Sequence, residues 1–120
     1  MASILIVEDD APVRALLRDI LEEDGHHIRE AENGQIGLTL YRDSPADLVI
    51  TDILMPERDG MEVTLALTQE FLDARVIAMT GATGDQNFLN IAKLFGARRV
   101  IQKPFTPDLI RRVVRFTLDH

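Results

Sequence analysis

Five short apolar runs alternate with amphipathic segments along the chain, and four of the runs break into a polar residue at their C-terminal edge. ILIVEDD, LVITD, RVIAMT and VIQKPF place Asp9, Asp52, Thr80 and Lys103 at these breaks. Near-continuous apolar strands are buried on both faces, and strands that alternate with helices pair in parallel beneath helical layers. Right-handed crossovers leave few topologies for such a chain. The expected fold is α/β, a five-stranded parallel sheet in the order 2-1-3-4-5 with helices on both faces, doubly wound and flavodoxin-like. Ligands of open parallel sheets bind just outside the carboxyl ends of the strands. The four polar residues are therefore expected at one site.

The elements follow from periodicity and punctuation. Residues 3–8, 27–31, 47–51, 75–79 and 100–102 are predicted strands. Val13, Leu16, Leu17, Ile20 and Leu21 recur at helical spacing, with Pro12 in the first turn and Gly25 past the end. A second helix over 33–42 has Asn33 as its N-cap. Residues 53–60 form a loop, after which Asp59 and Glu62 have capping-box spacing for a helix carrying Val63, Leu67 and Phe71 inward. Gly81-Ala82-Thr83-Gly84 precedes a helix with Phe88, Ile91, Ala92 and Phe95 on one face. Thr106 caps a last helix, opened by Pro107, that carries Leu109, Ile110, Val113, Val114, Thr117 and Leu118. Met55, Met61, Met79, Tyr41 and Phe95 are expected in packing, and His26 and His27 at the surface.

A length of 120 residues suits one domain, expected over 1–120, with one core. No run approaches the ~20 apolar residues of a membrane span. The chain has no cysteine, so neither a disulfide framework nor a thiolate metal site is open to it, and a cytoplasmic location is expected. A net charge of −7 argues against direct nucleic-acid binding. Residues 1–60 hold 14 acids and 5 bases, whereas residues 61–120 hold 6 acids and 8 bases. Arg98, Arg99, Arg111, Arg112 and Arg115 crowd the C-terminal part, either as a solvated helix face or as a docking surface for an acidic partner or a second copy.

At the strand ends, Glu8, Asp9, Asp10 and Asp52 would repel one another unless a cation neutralises them. Hard oxygen ligands of this kind suit Mg2+ together with a phosphoryl group. Asp10 is the natural N-cap of the first helix, while Asp9 with Asp52 suits the metal. Lys103 is one of two lysines among 13 bases, and its compact ammonium can pair with a carboxylate or a phosphate as a point charge. Thr80 can close a turn or donate to a phosphoryl oxygen, with backbone N–H groups of Gly81 and Ala82 facing the same anion.

Taken in order, Glu8-Asp9-Asp10, Asp52 with Met55-Pro56 and Asp59-Gly60 after it, Thr80, and Lys103-Pro104-Phe105 resemble the response regulator receiver domain of two-component signalling. The resemblance covers the whole chain. It implies that Asp52 is the phosphoacceptor and that the donor is a phosphohistidine on a sensor histidine kinase or a histidine phosphotransfer protein. It implies Mg2+ on Asp9 and Asp52, with Glu8 acting mainly through water and the Leu54 carbonyl completing the protein ligands. Lys103 would pair with Asp52 and then with the phosphoryl group, Thr80 would move to the phosphoryl oxygen, and the Lys103–Pro104 bond would be cis. The output would pass to the surface of the fourth helix, fifth strand and fifth helix. Such a chain is a switch that assists its own phosphorylation and dephosphorylation, not an enzyme.

One position departs from the pattern. Three residues before the lysine the family usually carries an aromatic ring that swings inward, and here stands Val100. A valine has no ring to swing, which leaves loop repacking and helix motion as the expected relay. The rival class is a phosphatase or phosphotransferase with an aspartyl-phosphate nucleophile. Haloacid-dehalogenase-like enzymes need a second acid two residues after the nucleophile, where this chain has Leu54. A flavin carrier would meet repulsion between its phosphate and Glu8-Asp9-Asp10, and the GK[ST] signature of a P-loop is missing.

Overall fold

The computed structural model describes residues 2–53, 60–80, 90, 93 and 96–120. In chain order these form β1 (Ser3–Val7), α1 (Ala11–Glu23), β2 (His27–Ala31), α2 (Gly34–Asp43), β3 (Leu48–Asp52), α3 (Gly60–Glu70), β4 (Val76–Thr80), β5 (Arg99–Gln102) and α4 (Pro107–Asp119). The strands pair in parallel in the order β2-β1-β3-β4-β5, as the alternation predicts.

Successive side chains of a strand point to opposite faces, and the core divides accordingly. On one face Ile4, Ile6, Ile50, Ile77 and Met79 meet Leu17, Ile20 and Leu21 of α1 and Ile110 and Val114 of α4. On the other, Leu5, Val7, Val49 and Val76 meet Leu38 and Tyr41 of α2 and Val63 and Leu67 of α3. Each such side chain stabilises the fold by about 1.5–3 kcal/mol when fully buried. Packing under α2 is tight: a Cβ on Gly37 would lie 2.7 Å from Val7 Cγ2, so a larger residue there would force Val7 or the helix to shift. Tyr41 meets Phe71 edge-on at 4.9 Å between ring centroids.

The helix ends behave as their residues dictate. Asp10 caps α1 by accepting from the Val13 N–H at 3.4 Å. Asn33 accepts from Ile36 N–H at 2.9 Å, and Thr106 from Leu109 N–H at 3.1 Å ahead of Pro107. Past the end of α1, Gly25 takes φ 86°, its N–H donates to Glu22 O, and the His26 N–H donates to Leu21 O. These paired bonds form a Schellman turn, which needs the left-handed residue that glycine supplies. The turn delivers the chain to β2.

Four expectations need correction. β1 ends at Val7, because the ladders to β2 and β3 both stop there; β3 and β4 are displaced by one residue from their predicted bounds, and β5 starts one residue earlier and ends as predicted. Leu16 lies at the margin of the apolar stripe of α1 and is 46% exposed instead of joining the core. His26 is half-buried, its Nδ1 accepting from the Ala2 N–H at 3.1 Å, and burial lowers its pKa. Arg111 leaves the basic face for α1, as described below. His27 is exposed as expected.

The expectations for Leu54, Met55, Pro56 and the Asp59–Glu62 capping box lie outside the described residues, as does the packing of Met61. So do those for Gly81-Ala82-Thr83-Gly84 and for the helix carrying Phe88, Ile91, Ala92 and Phe95. Among the described residues no helix is long and apolar enough to cross a membrane.

Candidate functional site

The strand registers bring the polar ends together. Val7 pairs with Thr51, Asp52 with Met79, and Thr80 with Gln102, so Glu8, Asp52, Thr80 and Lys103 all lie at the carboxyl edge of the sheet. Lys103 follows β5, and its backbone N–H donates to Thr80 O at 2.7 Å, tying the ends of β4 and β5 together. The next peptide, Lys103–Pro104, is cis, as expected.

From this anchor the Lys103 side chain reaches back across the edge. Its Nζ donates to Asp52 Oδ2 at 3.1 Å and to Glu8 Oε1 at 2.7 Å. Asp9 is exposed, and one carboxylate oxygen from each of Glu8, Asp9 and Asp52 lies within 4.8 Å of the others. Thr80 is buried at the end of β4, one residue beyond the partner of Asp52. Among the described residues one ammonium thus bridges two of three clustered carboxyl groups.

Burial decides how this imbalance is held. Glu8 is fully buried. Burial pushes its carboxyl up to about 8; the neighbouring Asp52 adds to the rise and Lys103 opposes it. Burial alone would pull the Lys103 ammonium down, but the hydrogen bond to Glu8 and the charge of Asp52 outweigh it and hold it above its ordinary value. Glu8 Oε2 is buried and finds no hydrogen-bond partner among the described residues. A buried carboxylate oxygen left so costs free energy unless a cation or proton meets it. Three clustered carboxyl groups, one of them with an unsatisfied oxygen, fit a small divalent cation such as Mg2+.

Sequence reasoning brought Glu8, Asp9, Asp52, Thr80 and Lys103 to one edge, and the structure places them there. Leu54, Gly81 and Ala82 lie outside the described residues. Asp10 is occupied as a helix cap. Val100 packs on Ile53, Ala78 and Ala97, a small apolar cluster beside the site. Two features were missed. The shorter bond of Lys103 goes to Glu8, 95 positions away, not to Asp52. Arg14 donates from Nη1 to the Glu8 carbonyl at 2.7 Å, and the one sequence hint was that it is the first base after the three acids.

One surface adjoins the site, and a second lies towards the amino end of β5. A groove of about 400 Å³ lined by Val13, Leu16, Lys103, Pro104 and Phe105 runs from Lys103 over α1 and is mostly apolar. On β5 and α4, the Arg99 guanidinium lies 4.3 Å over the Phe116 ring, which stacks on His120 at 4.1 Å. Arg98, Arg99, Arg112 and Arg115 have no acid within ion-pair distance among the described residues. Arg111, expected with them, instead reaches Glu23 at 2.6 Å and Asp24 at 3.5 Å and clasps α4 to α1.

The profile of the response regulator receiver domain matches residues 4–115. The chain is 38% identical over 117 residues to the chemotaxis protein CheY of Bacillus subtilis (strain 168), covering 97% of each chain. It is 34% identical over 112 residues to sporulation initiation phosphotransferase F of the same organism, covering 93% of this chain and 90% of that one. The crystal structure of the receiver domain of NtrX from Brucella abortus superposes with a TM-score of 0.92 at 28% identity, covering 97% of this chain and 98% of that chain.

Proposed function

The chain belongs to the response regulator receiver family of two-component signalling, and from that premise we propose that Asp52 accepts a phosphoryl group from a phosphohistidine donor in a Mg2+-dependent reaction that switches partner binding. The observation that carries this reading is the Lys103 ammonium bridging Asp52 and Glu8, beside Asp9, at the carboxyl edge of the sheet. The receiver unit is taken to be residues 1–120.

Phosphoryl transfer is served mainly by positioning and charge neutralisation. A carboxylate needs no general base to be a nucleophile at neutral pH. An oxygen of Asp52 forms the new O–P bond while the N–P bond of the phosphohistidine breaks. The donor ring carries a proton on its other nitrogen, so when the electron pair of the N–P bond passes to the phosphorylated nitrogen the ring leaves as neutral imidazole. Asp9, Asp52 and the Leu54 carbonyl would hold Mg2+ directly, with Glu8 behind them. Bound there, the cation supplies charge neutralisation for the phosphoryl oxygens. Lys103 passes from the Asp52 carboxylate to a phosphoryl oxygen. Thr80 donates its hydroxyl to another, with backbone N–H groups of Gly81 and Ala82 alongside. The product is an acyl phosphate, which hydrolyses readily and so gives a reversible signal.

The donor is a sensor histidine kinase or a histidine phosphotransfer protein, and the apolar groove from Lys103 over Leu16 offers it a seat next to the nucleophile. The exposed arginines of β5 and α4 suit an acidic partner or a second copy. With Val100 in the relay position, the signal reaches that face by repacking around Ile53, Ala78 and Ala97 instead of by a ring flip.

Incubation with acetyl phosphate and Mg2+, followed by intact-mass measurement, tests the reading. The wild type is expected to gain one phosphoryl group, and EDTA or Asp52→Asn to prevent the gain. Equal labelling of wild type and Asp52→Asn would overturn it.

A further inference from the structure

Arg14 stands behind the acids, in the first turn of α1, with a mostly buried side chain. Both β1 ladders end at Val7, so the backbone of Glu8 lies beyond regular pairing. Its two polar groups are nonetheless held. The Glu8 N–H donates to Ala31 O of β2 at 3.0 Å, and the Glu8 carbonyl accepts from Arg14 Nη1 at 2.7 Å. The guanidinium is itself oriented by Glu30, the residue before Ala31 on β2, whose Oε1 lies 3.4 Å from Arg14 Nε. Glu30 also pairs with Arg18, one turn along α1.

The carbonyl that Arg14 grips belongs to the peptide joining Glu8 to Asp9. Rotation of that peptide would redirect the Cα–Cβ bond of Asp9, and with it the exposed carboxylate that now lies near those of Glu8 and Asp52. We propose that Arg14, held by Glu30, is a positioning residue for the cation site, fixing the Glu8–Asp9 peptide so that the carboxylates converge. This rests on the reading of Glu8, Asp9 and Asp52 as a Mg2+ site. The forked guanidinium suits the task, since separate nitrogens serve the carbonyl and the carboxylate at once, which an ammonium on a flexible stem does less well. Glu30 and the carbonyl also limit the repulsion that a cation near the site would impose on Mg2+.

Repulsion and positioning predict opposite signs, which makes the proposal testable without any activity assay. Mg2+ is titrated calorimetrically into the unphosphorylated chain, comparing wild type, Arg14→Met, Arg14→Lys, Glu30→Gln and Asp9→Asn. Loss of an outer partner of metal ligands typically lowers metal affinity by about 10- to 100-fold, and Arg14→Met is expected to lose about tenfold. Arg14→Lys keeps the charge and is expected to recover part of the loss. An unchanged or tighter affinity in Arg14→Met overturns the proposal, since removing a bystander cation can only favour Mg2+. Should Arg14→Met fail to fold, Glu30→Gln decides: weaker Mg2+ binding supports the clamp, and unchanged binding overturns it. Asp9→Asn tests the underlying site separately. If it binds Mg2+ as the wild type does, the site reading fails on its own evidence, and a wild type indifferent to Mg2+ overturns both.

Discussion

The carboxyl edge of the sheet and the face formed by β5 and α4 carry opposite charges and hold them in opposite ways. At the edge, Glu8 and Asp52 are buried, crowded and bridged by one internal cation, Lys103. On the β5–α4 face, Arg98, Arg99, Arg112 and Arg115 are exposed or half-exposed, and among the described residues no acid pairs with them. Buried charge in a small volume is costly and responds strongly to one added ion. Exposed charge is screened and cheap, so it acts on association with outside molecules more than on stability. The difference separates a region whose charge balance turns on one added ion from one whose charges face solvent.

The largest effect is expected from removing the internal cation. Lys103→Met leaves two carboxyl groups buried without their bridge, and breaking such a pair costs about 3–5 kcal/mol. Urea unfolding in EDTA is expected to show a loss in that range, with part regained when Mg2+ is added. A loss indistinguishable from that of a surface substitution would mean that the edge holds its charge no more tightly than the basic face.

Next in size is a pH effect confined to the edge. The folded-state pKa of Glu8, about 8, lies above the ordinary 4.5, so the native chain binds a proton more tightly than the unfolded chain. The associated stability is complete below about 4.5 and is lost as pH rises towards 8. At about 1.4 kcal/mol per unit, and reduced for coupling to Asp52, the loss is on the order of 2–4 kcal/mol. Thermal unfolding in EDTA should show a falling Tm over this window, and the gain from Mg2+ should be larger at the alkaline end, where Glu8 is ionised. A Tm that is flat with pH in Glu8→Gln but falling in wild type would assign the effect to Glu8.

The opposite region should behave in the opposite way. Arg98→Glu with Arg112→Glu is expected to change unfolding free energy by no more than about 0.5 kcal/mol, as surface substitutions usually do. Mg2+ affinity and phosphorylation by acetyl phosphate should be unchanged, while binding of the acidic partner or self-association, followed by sedimentation, is lost. Should both oligomeric state and partner binding survive the reversal, the face has no docking role.

The smallest effect on stability concerns the groove beside Lys103. Leu16→Ala removes a 46% exposed side chain, and the expected cost is below about 1 kcal/mol. It should slow phosphoryl transfer from a phosphohistidine protein and leave transfer from acetyl phosphate alone. Equal slowing with both donors would place its influence at the site instead of at docking.

Strand order and the gathering of Glu8, Asp9, Asp52, Thr80 and Lys103 could be foreseen because parallel βα units put every strand end on one edge, whatever the loops do. Leu16 could not, because helical spacing admits a residue at the margin of a stripe without saying how far the sheet extends beneath it. The bond from Lys103 to Glu8 depends on a four-carbon stem reaching past β3 and β4, a distance that periodicity does not measure. Arg111 was grouped with its arginine neighbours by position in the chain, yet its place on α4 faces Glu23 and Asp24 of the α1 end. Arg14 escaped notice for a related reason: its partner is a backbone carbonyl, and sequence patterns of charge see only side chains.

The central claim is that Asp52, among the carboxyl groups crowded at this edge, takes the phosphoryl group. Borohydride reduces an aspartyl phosphate to homoserine and leaves free carboxylates intact. After phosphorylation with acetyl phosphate and Mg2+, reduction and peptide mapping, homoserine is expected at position 52 and not at 9 or 10. Homoserine at Asp9 or Asp10, or its equal appearance in unphosphorylated chain, would contradict the account.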